Sequence, residues 1–550
     1  MAGHHQPLTR LLTLAGLATG PVLVLGVFFV LPVSGMLSLG LGPDGRFDPG
    51  AVLEVLGRER TLRVLWFTIW SAATATAITL LLGVPSAFVL YRLRFPGRRL
   101  LQAALVVPFV LPTVVVGIAF RELLAPGGLL GSWGLDGTPA AIIAALVFFN
   151  LAVVIRTVGT AWEALDPRPG EAAAALGATP VQVLRDVTLP ALRGSLVSAA
   201  SVVFLFCATA FGVVLTLGGL RYATVETEIY LLTTQLLDLP GAAALSVLQL
   251  LVVSVLLYAA HRARAHGVPV DRRANALRRP AGRDLAAVLL TAAGLVLVAL
   301  PVLTLLTGSL QVGDRWSLDN YRDLSTTGSN DALLVPVTEA LLNSLTTAVD
   351  ATWMALLLGL LVSVVVTRRS HSRTEQRFRG GLDAFFMLPL GVSAVTLGFG
   401  FLITLDEPPV DFRSSPLLVP IAQALVALPL VVRTLVPVLA GIDDRQRQAA
   451  ASLGASPLRA LATVDLAVVW KPLLAAAGFA FAVSLGEFGA TSFLARDDHP
   501  TMPVVIFRLL GHPGAQNYGM ALAASVVLAA ATALLVLAVE RLRVPGVGGF

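Results

Sequence analysis

The chain has 550 residues, of which 56% are hydrophobic and 13% charged, and its formal net charge is +6. Soluble domains carry roughly a quarter charged residues, so this composition excludes a string of soluble domains, and it leaves no soluble basic surface on which a nucleic acid could sit. Apolar runs of about 20 residues, the length that crosses a bilayer as a helix, recur from end to end, and the chain reads as an all-α polytopic membrane protein.

The opening MAGHHQPLTRLLTLAGLATGPVLVLGVFFVLPV has one arginine before an apolar run longer than a signal-peptide core, and it has no A-x-A-like cleavage site, so it reads as a retained first helix. Further spans are predicted at 62–91, 100–124, 138–162, 195–217 and 240–261, then at 284–311, 336–367, 381–404, 416–440, 472–493 and 517–540, about twelve in all. Runs rich in Leu, Ala and Val satisfy their backbone in lipid as helices rather than as barrel strands. Ala281–Leu306 and Ala521–Val539 are apolar on every helical face, which suits lipid better than a buried core. The single cysteine, Cys207, lies in an apolar run and reads as a packing residue.

Arginine sets the predicted orientation, because Lys and Arg near span ends stay in the cytoplasm. Connections after even-numbered spans carry Arg92, Arg94, Arg98 and Arg99, then Arg168, Arg185 and Arg193, then HRARAHGVPVDRRANALRRPAGR, then Arg368, Arg369, Arg373, Arg377 and Arg379. The opposite connections, such as GDRWSLDNYRDL and LDEPPVDFRSS, are sparser in arginine and relatively acidic. Both termini are therefore expected inside a cell membrane that the chain crosses many times.

An internal repeat organises the chain. A shift of 277 residues sets Ile155-Arg156-Thr157 on Val432-Arg433-Thr434, Leu165-Asp166 on Ile442-Asp443, Gly177-Ala178-Thr179-Pro180 on Gly454-Ala455-Ser456-Pro457, Phe211-Gly212 on Phe488-Gly489, and Thr224 on Thr501. Gly83 and Arg92 meet Gly359 and Arg368 at 276, and Pro108 and Gly117 meet Pro389 and Gly398 at 281. An even number of spans separates equivalent points, so the halves share an orientation. The expected organisation is a first half over 1–261, a basic linker over 262–283 and a second half over 284–550.

Between the fourth and fifth spans, EAAAALGATPVQVLRDVTLP (171–190) places Ala173, Leu176, Val181, Leu184 and Val187 near helical spacing, interrupted by Gly177 and Pro180. This predicts a short helix, a break, and a second short helix. Gly ends the first cheaply in a left-handed conformation, and Pro suits the first turn of the next. Glu171 complements the helix dipole, and the small residues from Ala172 leave a smooth surface for close approach. QAAASLGASPLRALATVDLA (448–467) is its second copy.

Glu171-Ala172-Ala173, Gly177, Val187 and Leu189-Pro190 fall at the spacing E-A-A-x3-G-x9-I-x-L-P, with Val for Ile, and so resemble the EAA loop of ABC importer permeases. The second copy keeps Ala449, Ala450, Gly454, Val464 and Leu466, with Gln448 for the Glu and Ala467 for the Pro. The resemblance implies coupling helices seated in two ATPase subunits at the cytoplasmic face, an extracytoplasmic solute-binding protein, and a type I importer fold of two parallel six-helix repeats. FFNLAVVIRTV (148–158), FGVVLTLGGLRYATVETEIY (211–230) and SLGEFGATSFLARDDHPTMPVVIF (484–507) look most like fused thiamine permeases, while ferric-iron permeases share the Phe-Gly signature. The solute implied is thiamine or a thiamine phosphate, with ferric iron as the alternative.

No nucleotide-binding G-x4-G-K-[ST] occurs, since Lys471 follows Trp470, and no histidine falls in a paired metal or catalytic spacing. ATP hydrolysis is thus assigned to separate subunits, with no cofactor in this chain. Ionisable groups at depth are costly and mark pathways or partners. Glu487, in LGEFG, and Asp350 are such groups. Glu487, with Gly489, Phe211 and Gly212, is the candidate pathway set, against which stands a purely interhelical bond or ion pair of Glu487. An ion-coupled secondary transporter of two parallel halves is the rival class; it calls for acidic residues in several spans and gives no reason for a repeated cytoplasmic loop.

Overall fold

The computed structural model describes residues 6–42, 50–105, 107–219, 221–264, 277–313, 315–368, 373–405, 412 and 415–541. The first five residues and most of the expected 262–283 linker lie outside them, as does much of the LDEPPVDFRSS connection. Strands among the described residues amount to a two-residue hairpin pairing Gln311 with Trp316 and Val312 with Arg315. Everything else regular is helix.

In chain order the helices that matter here are α1 (Gly16–Leu41), α2 (Glu59–Arg92), α3 (Thr113–Leu124), α4 (Pro139–Glu163), α5 (Arg168–Ala175), α6 (Pro180–Ala208), α7 (Val225–Thr234) and α8 (Leu239–Tyr258). They continue as α9 (Gly282–Ser309), α10 (Val337–Thr367), α11 (Ala394–Thr404), α12 (Leu418–Ala440), α13 (Asp444–Ser452), α14 (Leu461–Gly486), α15 (Met502–Gly511) and α16 (Ala515–Val539). Among the described residues 10 helices are long and apolar enough to cross a membrane, or 11 if Arg98–Val110 and α3 form one bent span. Exposed Leu and Val along α9, such as Leu289, Val296 and Leu303, give it the apolar outer face that lipid requires. The chain is a multi-pass membrane protein.

Several expected spans are interrupted. The segment 100–124 turns through 103° where Arg98–Val110 meets α3. Pro112 has no N–H to continue the helix, and its extended ψ of 138° restarts it at Thr113. In 381–404 the helix Arg373–Met387 gives way to a 3-10 turn over Leu388–Gly391, and Ser393 begins α11 by accepting the Thr396 N–H at 3.0 Å. The spans expected at 195–217 and 472–493 end at Ala208 and Gly486, because Thr209 and Glu487 leave helical geometry and short helices restart behind them. The second short helix expected after Pro180 is instead the start of α6, which runs on through a π turn at Leu184–Thr188.

Packing brings α2, α4 and α6 together, and likewise α10, α12 and α14. In both triplets a glycine lets the helices close. A Cβ on Gly83 would fall 2.6 Å from Val154 Cγ1, and one on Gly359 would fall 2.5 Å from Val431 Cγ1. The two outlying helices cross over: α1 packs on α8 but also on α10 and α11, and α9 packs on α16 but also on α2 and α3. Helix boundaries recur as well, with α10 to α16 repeating α2 to α8 within four residues at shifts of 276, 277 or 281.

Candidate functional site: the helix–glycine–helix loops and the aromatic seam

Asp166 opens the first loop by accepting the Arg168 N–H at 3.0 Å, and Asp443 does the same for Arg445 at 3.0 Å in the second. Both α5 and α13 then stop in the same way. Gly177 and Gly454 sit at φ +91° and +82°, in the left-handed region. Their N–H groups donate to Ala174 and Ala451, while the following Ala178 and Ala455 donate back to Ala173 and Ala450, all at 3.0 Å. This is the paired C-terminal cap that glycine makes cheap. Thr179 caps the start of α6 reciprocally with Gln182, and Ser456 accepts the Arg459 N–H at 3.3 Å.

The surface of each loop is matched residue for residue. Glu171 and Gln448 are exposed, as are Ala172 and Ala449, while Ala173 and Ala450 are half-buried. At the tip Leu176 and Leu453 are each 89% exposed, an apolar projection without cover in either copy. A small-residue helix carrying one bare leucine at its end is a shape that another protein's groove can accept. Pro190 lies in α6 just beyond the π turn; its counterpart Ala467 lies beyond a second π turn, Leu461–Asp465.

The second loop alone carries a buried charge network. Asp465, 2% exposed in its side chain, accepts from Arg368 Nη2 at 2.9 Å and from Arg447 Nε at 2.8 Å. Arg447 also donates to Asp444 at 2.7 Å and to the Leu439 carbonyl at 3.3 Å. One aspartate thus joins the end of α10, the end of α12, the helix α13 and the start of α14.

At the seam between α1–α8 and α9–α16, Phe211 and Phe488 stack with ring centroids 5.3 Å apart. Each also meets an aromatic on the following short helix, Phe211 with Tyr230 on α7 and Phe488 with Phe507 on α15, both at 5.4 Å. Tyr230 in turn meets Phe493 of the opposite set at 5.4 Å. Gly212 and Gly489 let the broken segments close on α3 and α11. A Cβ there would meet Thr113 Oγ1 at 2.4 Å and Ala394 Cβ at 2.9 Å. Thr68 and Ser344 accept the first N–H of α7 and α15 at 3.1 and 2.7 Å.

Glu487 is 6% exposed and caps its own segment, accepting the N–H of Ala490 at 2.8 Å and of Thr491 at 3.0 Å, together with the Thr491 hydroxyl. Asp350 stays on α10 and accepts from Trp353 Nε1 at 3.2 Å. Cys207 is fully buried, 3.4 Å from Asn150 Nδ2, as a packing residue should be. Sequence reading missed Glu226, which is completely buried and accepts from Gln249 at 2.9 Å and, across the seam, from Ser393 at 2.8 Å. Its neighbour Glu228 pairs with Arg60. The signal was two acids in ATVETEIY, a segment too short to read as a span. Among the described residues no cluster of three His, Cys, Asp or Glu side chains could hold a metal.

Known proteins resemble this chain in sequence. Residues 79–268 match the family of binding-protein-dependent transport system inner membrane components. The thiamine transport system permease protein ThiP of Brucella abortus is 28% identical over 523 residues, covering 91% of this chain and 92% of the relative. ThiP of Escherichia coli is 28% identical over 468 residues, covering 82% and 84%. The sulfate transport system permease protein CysT of Escherichia coli is 33% identical over 201 residues, 35% of this chain and 73% of CysT. The chain therefore belongs to the binding-protein-dependent inner membrane components of ABC transporters, as a polytopic permease that translocates a small solute rather than a catalytic enzyme.

Proposed function

We propose that the chain is a fused type I importer permease of about twelve spans, with parallel halves over 1–261 and 284–550, a basic linker over 262–283, and both termini in the cytoplasm. One ATPase subunit seats on Glu171, Ala172, Ala173, Gly177 and Pro190, and a second on Gln448, Ala449, Ala450 and Gly454. An external binding protein delivers solute to the outer mouth near 218–239 and 494–516. The observation that carries this reading is the same left-handed glycine cap at the end of both loop helices, each with its leucine left 89% exposed.

The solute is thiamine or a thiamine phosphate. Similarity to thiamine permeases along nearly the whole chain supports this, as does an aromatic seam suited to a flat cation. Phe211, Gly212, Glu487 and Gly489 border the pathway, a reading supported by the stacking of Phe211 on Phe488 at the seam. ATP drives transport only if the ATPase pair binds one permease state more tightly than the other, since equal affinity for both would shift nothing.

The test is co-purification of the chain with its ATPase subunits, followed by ATP-dependent uptake of labelled thiamine into proteoliposomes supplied with the binding protein. Uptake by the chain alone, driven by an ion gradient, would overturn the reading.

A further inference from the structure

The two loops reach one backbone shape by different means. In the first, Pro190 has no N–H to offer the Asp186 carbonyl, so the α-helical ladder is interrupted covalently beside the π turn. In the second, Ala467 could restore that bond, yet the π turn persists, with Leu466 donating back to Leu461. What the second loop has in place of proline is charge. Asp465 is the last residue of its π turn, and it holds Arg368 and Arg447 from two other elements. The four corresponding positions in the first half are Arg92, Pro167, Gly170 and Thr188, a set with one charge and no carboxylate. The network therefore cannot form there.

We propose that Asp465, with Arg368 and Arg447, is a positioning clamp that fixes the second docking helix to α10 and α14, so that this loop moves rigidly with the membrane helices while the first is held through its backbone. Buried ion pairs contribute little net stability, but they fix geometry, because the pair must remain in contact once it is out of water. The clamp rests on the docking role of 448–467. It explains how that loop keeps its form without the motif proline: the charge network sets the angle of α13 relative to α14.

The experiment uses the full chain co-purified with its ATPase subunits and reconstituted with the binding protein, reading solute moved per ATP hydrolysed and ATPase retained per permease. Asp465→Asn is expected to lower the transport ratio by about tenfold, the scale of a typical coupling free energy, with ATPase retention unchanged. Asp465→Glu should recover part of it. A parental ratio in Asp465→Asn overturns the clamp. Should that variant fail to assemble, Arg447→Leu/Asp465→Leu, which removes the buried pair together, is expected to assemble and to be uncoupled. Parental coupling in the double variant, or loss of assembly there too, overturns the clamp. If the parent chain retains no ATPase, the docking reading itself fails; if it does and coupling survives Asp465→Asn, only the clamp fails.

Discussion

The two helix–glycine–helix loops, 171–190 and 448–467, are alike where backbone decides and unlike where side chains decide. Both end a small-residue helix with a left-handed glycine and re-enter a long helix through a π turn. Around that common shape one loop has Glu171 and Pro190, and the other has Gln448, Ala467 and the Asp465 network. A motif read as a string makes the second copy look decayed. Its geometry says that the shape was kept while its support changed.

The sharpest way to break this comparison is to remove the glycine turn from each loop. Proline at 177 can adopt neither φ +91° nor donate the N–H that Gly177 gives to Ala174. We expect Gly177→Pro to lower ATP-driven uptake about a hundredfold, near the upper end of typical coupling free energies, while the spans stay folded. Gly454→Pro destroys the same cap, but Arg447 remains anchored to Asp465, and the expected loss is about tenfold. Equal losses in the uptake assay would mean that the two loops are supported alike.

A second pair of variants tests sameness rather than difference. Gly83 faces Val154 and Leu151, and Gly359 faces Val431 and Leu428, with nearly the same clearances. Gly83→Leu and Gly359→Leu should each destabilise the purified chain by about 2 kcal/mol through overpacking, read as thermal unfolding in detergent. A large disparity between them would show that the two helix triplets do not pack equivalently.

How much of this was legible beforehand follows from the physics of each feature. Long apolar runs declare themselves because lipid demands them, and Gly177 and Gly454 could be read because few residues tolerate a left-handed turn. The stacking of Phe211 on Phe488 could not be read, although both residues were singled out, since one register places them at equivalent positions without saying that those positions touch. The breaks at Pro112 and Glu487 were hidden inside runs whose composition stays apolar through the interruption. Arg447 and Asp465 are 18 residues apart in a loop where charge is ordinary. Only the fold buries their contact. Glu226 was overlooked because a short helix packed inside the protein has the composition of a connection.

The smallest expected effects separate the two buried carboxylates at the seam. Glu487 accepts two backbone N–H groups that cannot turn elsewhere. In Glu487→Gln one side-chain oxygen becomes an NH2 group that only donates, so a buried N–H loses its acceptor, at a cost of about 1–3 kcal/mol. Glu226 accepts instead from the Gln249 amide and the Ser393 hydroxyl. The amide can flip and the hydroxyl can rotate to accept, so Glu226→Gln keeps both contacts and should cost less than about 1 kcal/mol. Thermal unfolding of the two variants beside the parent checks the order. If Glu226→Gln proved the more damaging, its negative charge, rather than its hydrogen bonds, would be what holds Ser393 and the two halves of the seam together.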